Sequence, residues 1–232
     1  IHDVIPLEHP EFQRPGTVAP FRDKMQRVGR LADRVIYNSE DTRARAEEQM
    51  RIWGRVPPSC VAHLGVDVSP PDITQLPPDL QPKRPYFVTV GTIEPRKNHA
   101  FLLDLWEQIG PDAPPLFICG TRGWNNDDVF RRLDDLPADS AIREVSGLSD
   151  CALSALIADS AGLLFPSHAE GFGLPAVEAL TLGTRVLCND LPVFREILGN
   201  SANLVPVSEL QSWLEILEDW EIKPSDADKA TR

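Results

Sequence analysis

Residues Ala161–Leu180 read AGLLFPSHAEGFGLPAVEAL. The first five form an uninterrupted apolar run, the pattern of a strand covered on both faces. Pro175 suits the first position of a helix, where its missing N–H is no loss, and the residues after it continue helically. Between strand and helix stands a loop carrying Glu170, a Gly171-Phe172-Gly173 turn and, about one turn into the helix, Glu178. A connection that served structure alone would need one of these features at most. In a parallel α/β sheet ligands bind outside the carboxyl ends of the strands, so this loop is a candidate site as well as a fold signal.

The same alternation runs outward on both sides. The strand-like runs are YFVTVGT, PLFICG, AIREVSG, AGLLFPS, TRVLCND and SANLVP. Between and after them come amphipathic stretches such as HAFLLDLWEQI, NDDVFRRLDDL, SDCALSALIADS and SELQSWLEILEDW. Six apolar strands alternating with six helices predict an α/β domain with a doubly wound parallel sheet and right-handed crossovers. Upstream, Phe21, Met25, Val28 and Leu31 share one helical face with Arg22, Lys24, Arg27 and Arg30 outside it. A short strand DRVIYNS follows, then a helix with Ser39 as N-cap and Glu40 and Asp41 in its first turn. Residues 57–85 hold eight prolines and read as a linker around one strand at Cys60 to Leu64. The expected division is 1–56, a linker at 57–85, a main domain at 86–221 and a tail at 222–232.

Composition removes several function classes. The 232 residues are 42% hydrophobic, ample for a core, yet no apolar run approaches the ~20 residues of a membrane span. IHDVIPLEHP has no initiating Met, basic region or cleavage site, so it is not a secretory signal. A net charge of -12 argues against nucleic acid as a partner. Residues 14–55 nevertheless carry ten Lys/Arg against six Asp/Glu, a local +4. The basic helix at 20–31 reads either as a domain-packing helix or as a peripheral contact with an anionic membrane. Cys60, Cys119, Cys151 and Cys188 lie far apart without a C-x-x-C pair, and the five histidines are scattered. Buried free thiols in a reducing compartment, the cytoplasm, are expected rather than disulfides or a metal site. Neither a G-x-G-x-x-G nor a G-x-x-x-x-G-K-[ST] motif is present, which disfavours a nicotinamide enzyme and a P-loop ATPase or kinase.

Three strand-end loops carry the chemistry. VGTIEPRKN leaves its strand at Gly91 and places Arg96 and Lys97 just before a helix, a site for a di-anion. Read without a ligand it is a solvated basic helix start, although cations there oppose the helix dipole. In the Gly171-Phe172-Gly173-Leu174 turn, the N–H groups of Phe172, Gly173 and Leu174 and the positive helix end suit a phosphate. A carboxylate repels phosphate, so Glu170 and Glu178 are better placed to accept hydrogen bonds from hydroxyls on either side. The structural alternative is that Glu170 caps its own loop and Glu178 pairs with a surface Arg. VSGLSD, after the third strand, reads as a nucleobase contact or a plain turn.

VGTIEPRKN, FPSHAEGFGLPAVEAL, HLGVD and IHDVIPLEHPEF together resemble the retaining glycosyltransferases of the GT-B fold, the large family that includes bacterial mannosyltransferases and glycogen-synthase-like enzymes. The resemblance covers nearly the whole chain. It implies a Rossmann-like donor domain preceded by the tail of an N-terminal Rossmann-like acceptor domain, so the chain is expected to be a fragment or a partly resolved protein. It implies a nucleoside-diphosphate sugar as donor, leaning to GDP-mannose, and a saccharide or lipid-linked acceptor hydroxyl, with no cofactor or required metal. Arg96 and Lys97 would neutralise the diphosphate, Gly171–Leu174 would hold it, Glu170 would contact the sugar and Glu178 the ribose. His2 matches a loop histidine that reaches the donor sugar. Many members carry Arg after the strand glycine Gly91; here it is Thr92, which throws more of the charge onto Arg96 and Lys97. An epimerase of the same fold and a non-catalytic nucleotide-sugar-binding fragment are the rival readings.

Overall fold

The computed structural model describes residues 1–80 and 85–222. The first unit comprises α1 (Ile5–Glu8), α2 (Val18–Leu31), β1 (Val35–Tyr37), α3 (Glu40–Ile52) and β2 (Ser59–Val61). Ser39 caps α3, its hydroxyl accepting from the Thr42 amide at 3.0 Å, which satisfies one of the helix's orphan donors. β2 lies in the proline-rich segment and pairs in parallel with β1, Ile36 opposite Cys60. Further along the same segment, Leu76 and Leu80 are buried in the main core, and the Asp72 amide donates to the Cys151 carbonyl. The proline-rich stretch is therefore divided between the two units, its apolar residues anchoring each part.

The apolar face of α2 points inward. Met25 is buried with Val4, Tyr37, Ala46 and Met50, and Phe21 and Val28 pack on that cluster. Leu31 alone of the face stays well exposed, at 73%. Among the described residues no helix is long and apolar enough to cross a membrane.

The second unit runs β3 (Phe87–Val90), α4 (His99–Ile109), β4 (Leu116–Cys119), α5 (Asp127–Asp134), β5 (Ile142–Val145), α6 (Asp150–Ala158), β6 (Gly162–Phe165), α7 (Leu174–Thr181), β7 (Val186–Cys188), α8 (Pro192–Ile197), β8 (Asn203–Leu204) and α9 (Leu210–Ile222). Beyond Ile222 the tail lies outside the described residues. All six strands are parallel, in the order β5-β4-β3-β6-β7-β8. Along each strand, side chains alternate between two cores, as a period of two requires. Val88, Phe117, Leu163 and Val186 face α6, α7 and α8, whereas Phe87, Leu116, Ile118, Leu164 and Leu187 face α4, α5 and α9. This is the doubly wound sheet that the apolar runs predict.

Chain order reverses between β3 and β6, the topological switch point where such sheets open a crevice at their carboxyl edge. The loops that leave those two strands are VGTIEPRKN and PSHAEGFG.

Trp213 of α9 is fully buried edge-on against Phe101, its indole N–H donating to the Val205 carbonyl at 3.2 Å. Trp213→Ala is expected to lower stability by ~3–5 kcal/mol, read by urea denaturation, through a cavity at the α4–α9 contact.

Candidate active site

The protein's own hydrogen bonds tie the two switch-point loops together. The His168 amide donates to the Arg96 carbonyl at 2.8 Å, Arg96 Nη1 to the Ala169 carbonyl at 2.9 Å, and Asn98 Nδ2 to the Pro166 carbonyl at 3.2 Å. Asn98 makes the turn into α4 in the left-handed region, at φ 56°. Lys97 Nζ then lies 2.6 Å from Glu170 Oε1, Arg96 Nη1 2.9 Å from Glu170 Oε2, and Arg96 Nη2 2.7 Å from Glu94 Oε1.

Burial alone would push the Glu170 carboxyl up, but the charges of Lys97 and Arg96 outweigh it and hold the group below the usual carboxylate range. Burial pulls the Lys97 ammonium down, against the opposing attraction of Glu170. Lys97 Nζ also sits 4.5 Å from the centre of the Phe165 ring, a favourable cation–π distance. Its methylenes cover Gly91, where a Cβ would press on Lys97 Cε. Thr92 lies against Gly123, and Ile93 bridges to Arg122, so the loop after β4 is zipped onto the loop after β3.

The Gly171-Phe172-Gly173 turn ends at α7. Gly173 caps that helix at φ 91°, over the Phe194 ring, a conformation and a space suited to glycine. Among the described residues no acceptor takes the N–H of Phe172, Gly173 or Leu174. Phe172 turns its ring inward against the edge of His63, while Leu174 is 37% exposed. The backbone donors are thus available at the start of a helix, beside the cation pair.

Glu178 does not join that cluster. It is half-buried on α7, and burial first, then Asp150 at the start of α6, raise its carboxyl above the usual range. The two glutamates thus have different surroundings, Glu170 the two cations and Glu178 the charge of Asp150. His2 is exposed beside the turn, and its carbonyl oxygen occupies the space a Cβ on Gly171 would need.

Several residues beyond the sequence expectations complete the site. Glu94 balances Arg96. Asn38 Nδ2 donates to the His2 carbonyl at 2.9 Å, and the Ser39 and Thr42 hydroxyls donate to the Gly171 carbonyl at 3.1 and 3.2 Å. Glu94 was within reach of a local reading, since it precedes Pro95-Arg96-Lys97. The other three lie about 130 positions from Gly171, and no spacing rule links them.

Gly171→Ala is expected to lower stability by ~1–3 kcal/mol in urea denaturation, because its Cβ meets backbone that cannot rotate away. His99, at the start of α4, is 1% exposed, and burial, followed by the Lys97 charge, lowers its pKa from 6.5 to about 4. Between those values the unfolded chain binds a proton that the folded chain refuses, so stability falls as pH drops through this window and is unaffected above it. Denaturation at pH 7 and pH 4 is expected to show on the order of 3 kcal/mol more loss in the parent than in His99→Leu.

The sequence profile described as Glycosyl transferases group 1 matches residues 74–232. The serotype-specific mannosyltransferase WbdA of Escherichia coli is 34% identical over 219 residues, which cover 87% of this chain and 27% of that protein. The O-antigen chain mannosyltransferase RfbU of Salmonella typhimurium is 31% identical over 144 residues, 61% of this chain and 40% of RfbU. The chain therefore spans about a quarter of the length of WbdA. Among solved structures, Anabaena HepE in complex with UDP and glucose superposes with a TM-score of 0.72 at 21% identity, covering 100% of this chain and 65% of HepE. The shared fold places the second unit as the Rossmann-like C-terminal half of a GT-B arrangement. With the profile match spanning most of its length, the chain belongs to the group 1 glycosyl transferases.

Proposed function

We propose that this chain forms the donor site of a retaining mannosyltransferase that uses a nucleoside-diphosphate mannose, GDP-mannose foremost, to glycosylate a saccharide or lipid-linked hydroxyl. The observation that carries the reading is the meeting, at the β3/β6 switch point, of three free amides at a helix start with the Arg96–Lys97 pair. Such donors suit the charge that develops on a departing diphosphate.

In this reading the Phe172, Gly173 and Leu174 amides and the two cations hold the diphosphate between Gly91–Thr92 and the turn. Glu170 keeps lone pairs for sugar hydroxyls while it orients Lys97 and Arg96. Glu178 accepts from the ribose, whose base extends toward the Gly147 loop. His2 reaches the sugar from the acceptor side. The acceptor oxygen attacks the anomeric carbon from the face the phosphate leaves; the carbon–oxygen bond to the diphosphate breaks, and the acceptor proton passes to the departing phosphate oxygen. No metal ion is required for these steps. The mannosyltransferase relatives support mannose as the sugar. Four unpaired thiols support action in a reducing compartment, the cytoplasm.

Calorimetry of the chain with GDP, UDP and their sugar derivatives tests the donor, and GDP binding more tightly than UDP is expected. In the full-length enzyme, Lys97→Ala is expected to lower transfer by at least ~10²-fold, the scale of losing one preorganised electrostatic partner. Near-parental turnover would remove Lys97 from the site.

A further inference from the structure

We propose that Glu196, on α8, is a positioning residue that aims the Phe172 amide through the first turn of α3. The inference rests on the diphosphate reading of the turn. One carboxylate oxygen of Glu196 accepts from the Glu40 amide at 2.7 Å and from His63 Nε2 at 2.9 Å; the other accepts from the Asp41 amide at 3.0 Å. Glu40 and Asp41 open α3, so a residue of the second unit satisfies two orphan donors of a helix in the first. A negative charge is also favoured at that end of the helix dipole. Burial raises the Glu196 carboxyl, but the two amides and His63 outweigh it and hold the group below its usual range.

Seated in this way, the start of α3 reaches the turn. Ser39 Oγ and Thr42 Oγ1 both donate to the Gly171 carbonyl, while Asn38 Nδ2 holds the neighbouring His2 carbonyl. The Gly171 carbonyl and the Phe172 N–H belong to one peptide plane and point in opposite directions. Two hydroxyls fixed on the carbonyl side therefore set where the N–H points, and they polarise the peptide so that it donates more strongly. Every link from Glu196 to the Phe172 amide is a hydrogen bond of 3.2 Å or less or a covalent connection. Gly171 itself admits no side chain because the His2 carbonyl fills that position, so the turn packs directly on the first unit.

The test uses the whole chain with three variants: Glu196→Ala, Glu196→Gln and the pair Ser39→Ala/Thr42→Val. Without ligand, the ¹⁵N order parameters of Phe172 and Gly173 are expected to fall from about 0.85 toward 0.6 or below in Glu196→Ala. GDP affinity, read by calorimetry, is expected to weaken roughly tenfold in Glu196→Ala and in the Ser39/Thr42 pair. Combining them is expected to be no worse than the poorer parent, since residues that act along one chain are not additive. Glu196→Gln, which keeps one acceptor oxygen, is expected to lie between, and it serves as the test if the alanine variant does not fold. Unchanged order parameters at Phe172 and Gly173, or losses in affinity that multiply, would overturn the proposal. If the parent binds no GDP, the diphosphate reading fails, and the order parameters still decide whether Glu196 positions the turn.

Discussion

Taking the Glu170 carboxylate out of water is unfavourable by itself; it is tolerated because Lys97 and Arg96 meet its two oxygens at 2.6 and 2.9 Å. That compensation carries the rest of the crevice. The Glu170 loop cannot move without stranding a buried charge, and neither can the loop that carries the cations. The backbone bonds from His168 to Arg96 and from Asn98 to Pro166 add directionality to what charge alone would leave loose. With Glu94 included, two cations face two acids, so the cations are held in place without the ligand. In the proposed reading an arriving phosphate would meet donors whose orientation was settled during folding, the preorganisation that electrostatic catalysis exploits.

The second constraint is the seam between the units. Gly171 packs against the His2 carbonyl, Phe172 against His63, and α3 against α8. On the other side of the crevice Phe12 stacks on both His9 and His168, while Trp124 Nε1 and Asn125 Nδ2 donate to the carbonyls of Phe12 and Gln13. The segment from His2 to Gln13 thus runs along the loops that follow β4 and β6 and contacts both. Residues of the first unit contribute to the shape of a site whose charged groups all belong to the second.

The charge pattern of the chain has a local meaning in this arrangement. The basic face of α2 is a solvated surface above a packed apolar stripe of Phe21, Met25 and Val28. Cys119 and Cys188 end buried strands, and burial raises the Cys119 thiol to about 12, which makes it an inert core group.

The amino-acid sequence by itself determined the alternation of strands and helices, the α3 cap at Ser39 and the two glycine- and charge-bearing loops, because these depend on periodicity and on residues within one turn of each other. It brought Arg96, Lys97 and Glu170 under suspicion as a set. Only the tertiary structure decided that Glu170 is first of all the counterion of both cations, that Glu178 comes within the electrostatic influence of Asp150, and that Asn38, Ser39, Thr42 and Glu196 form a hydrogen-bonded seam beside the Gly171 turn. Apart from Glu178 and Asp150, these relations join positions roughly 70 to 160 residues apart, and nothing local encodes them: they exist because the strand order reverses between β3 and β6 and the two units close over that point.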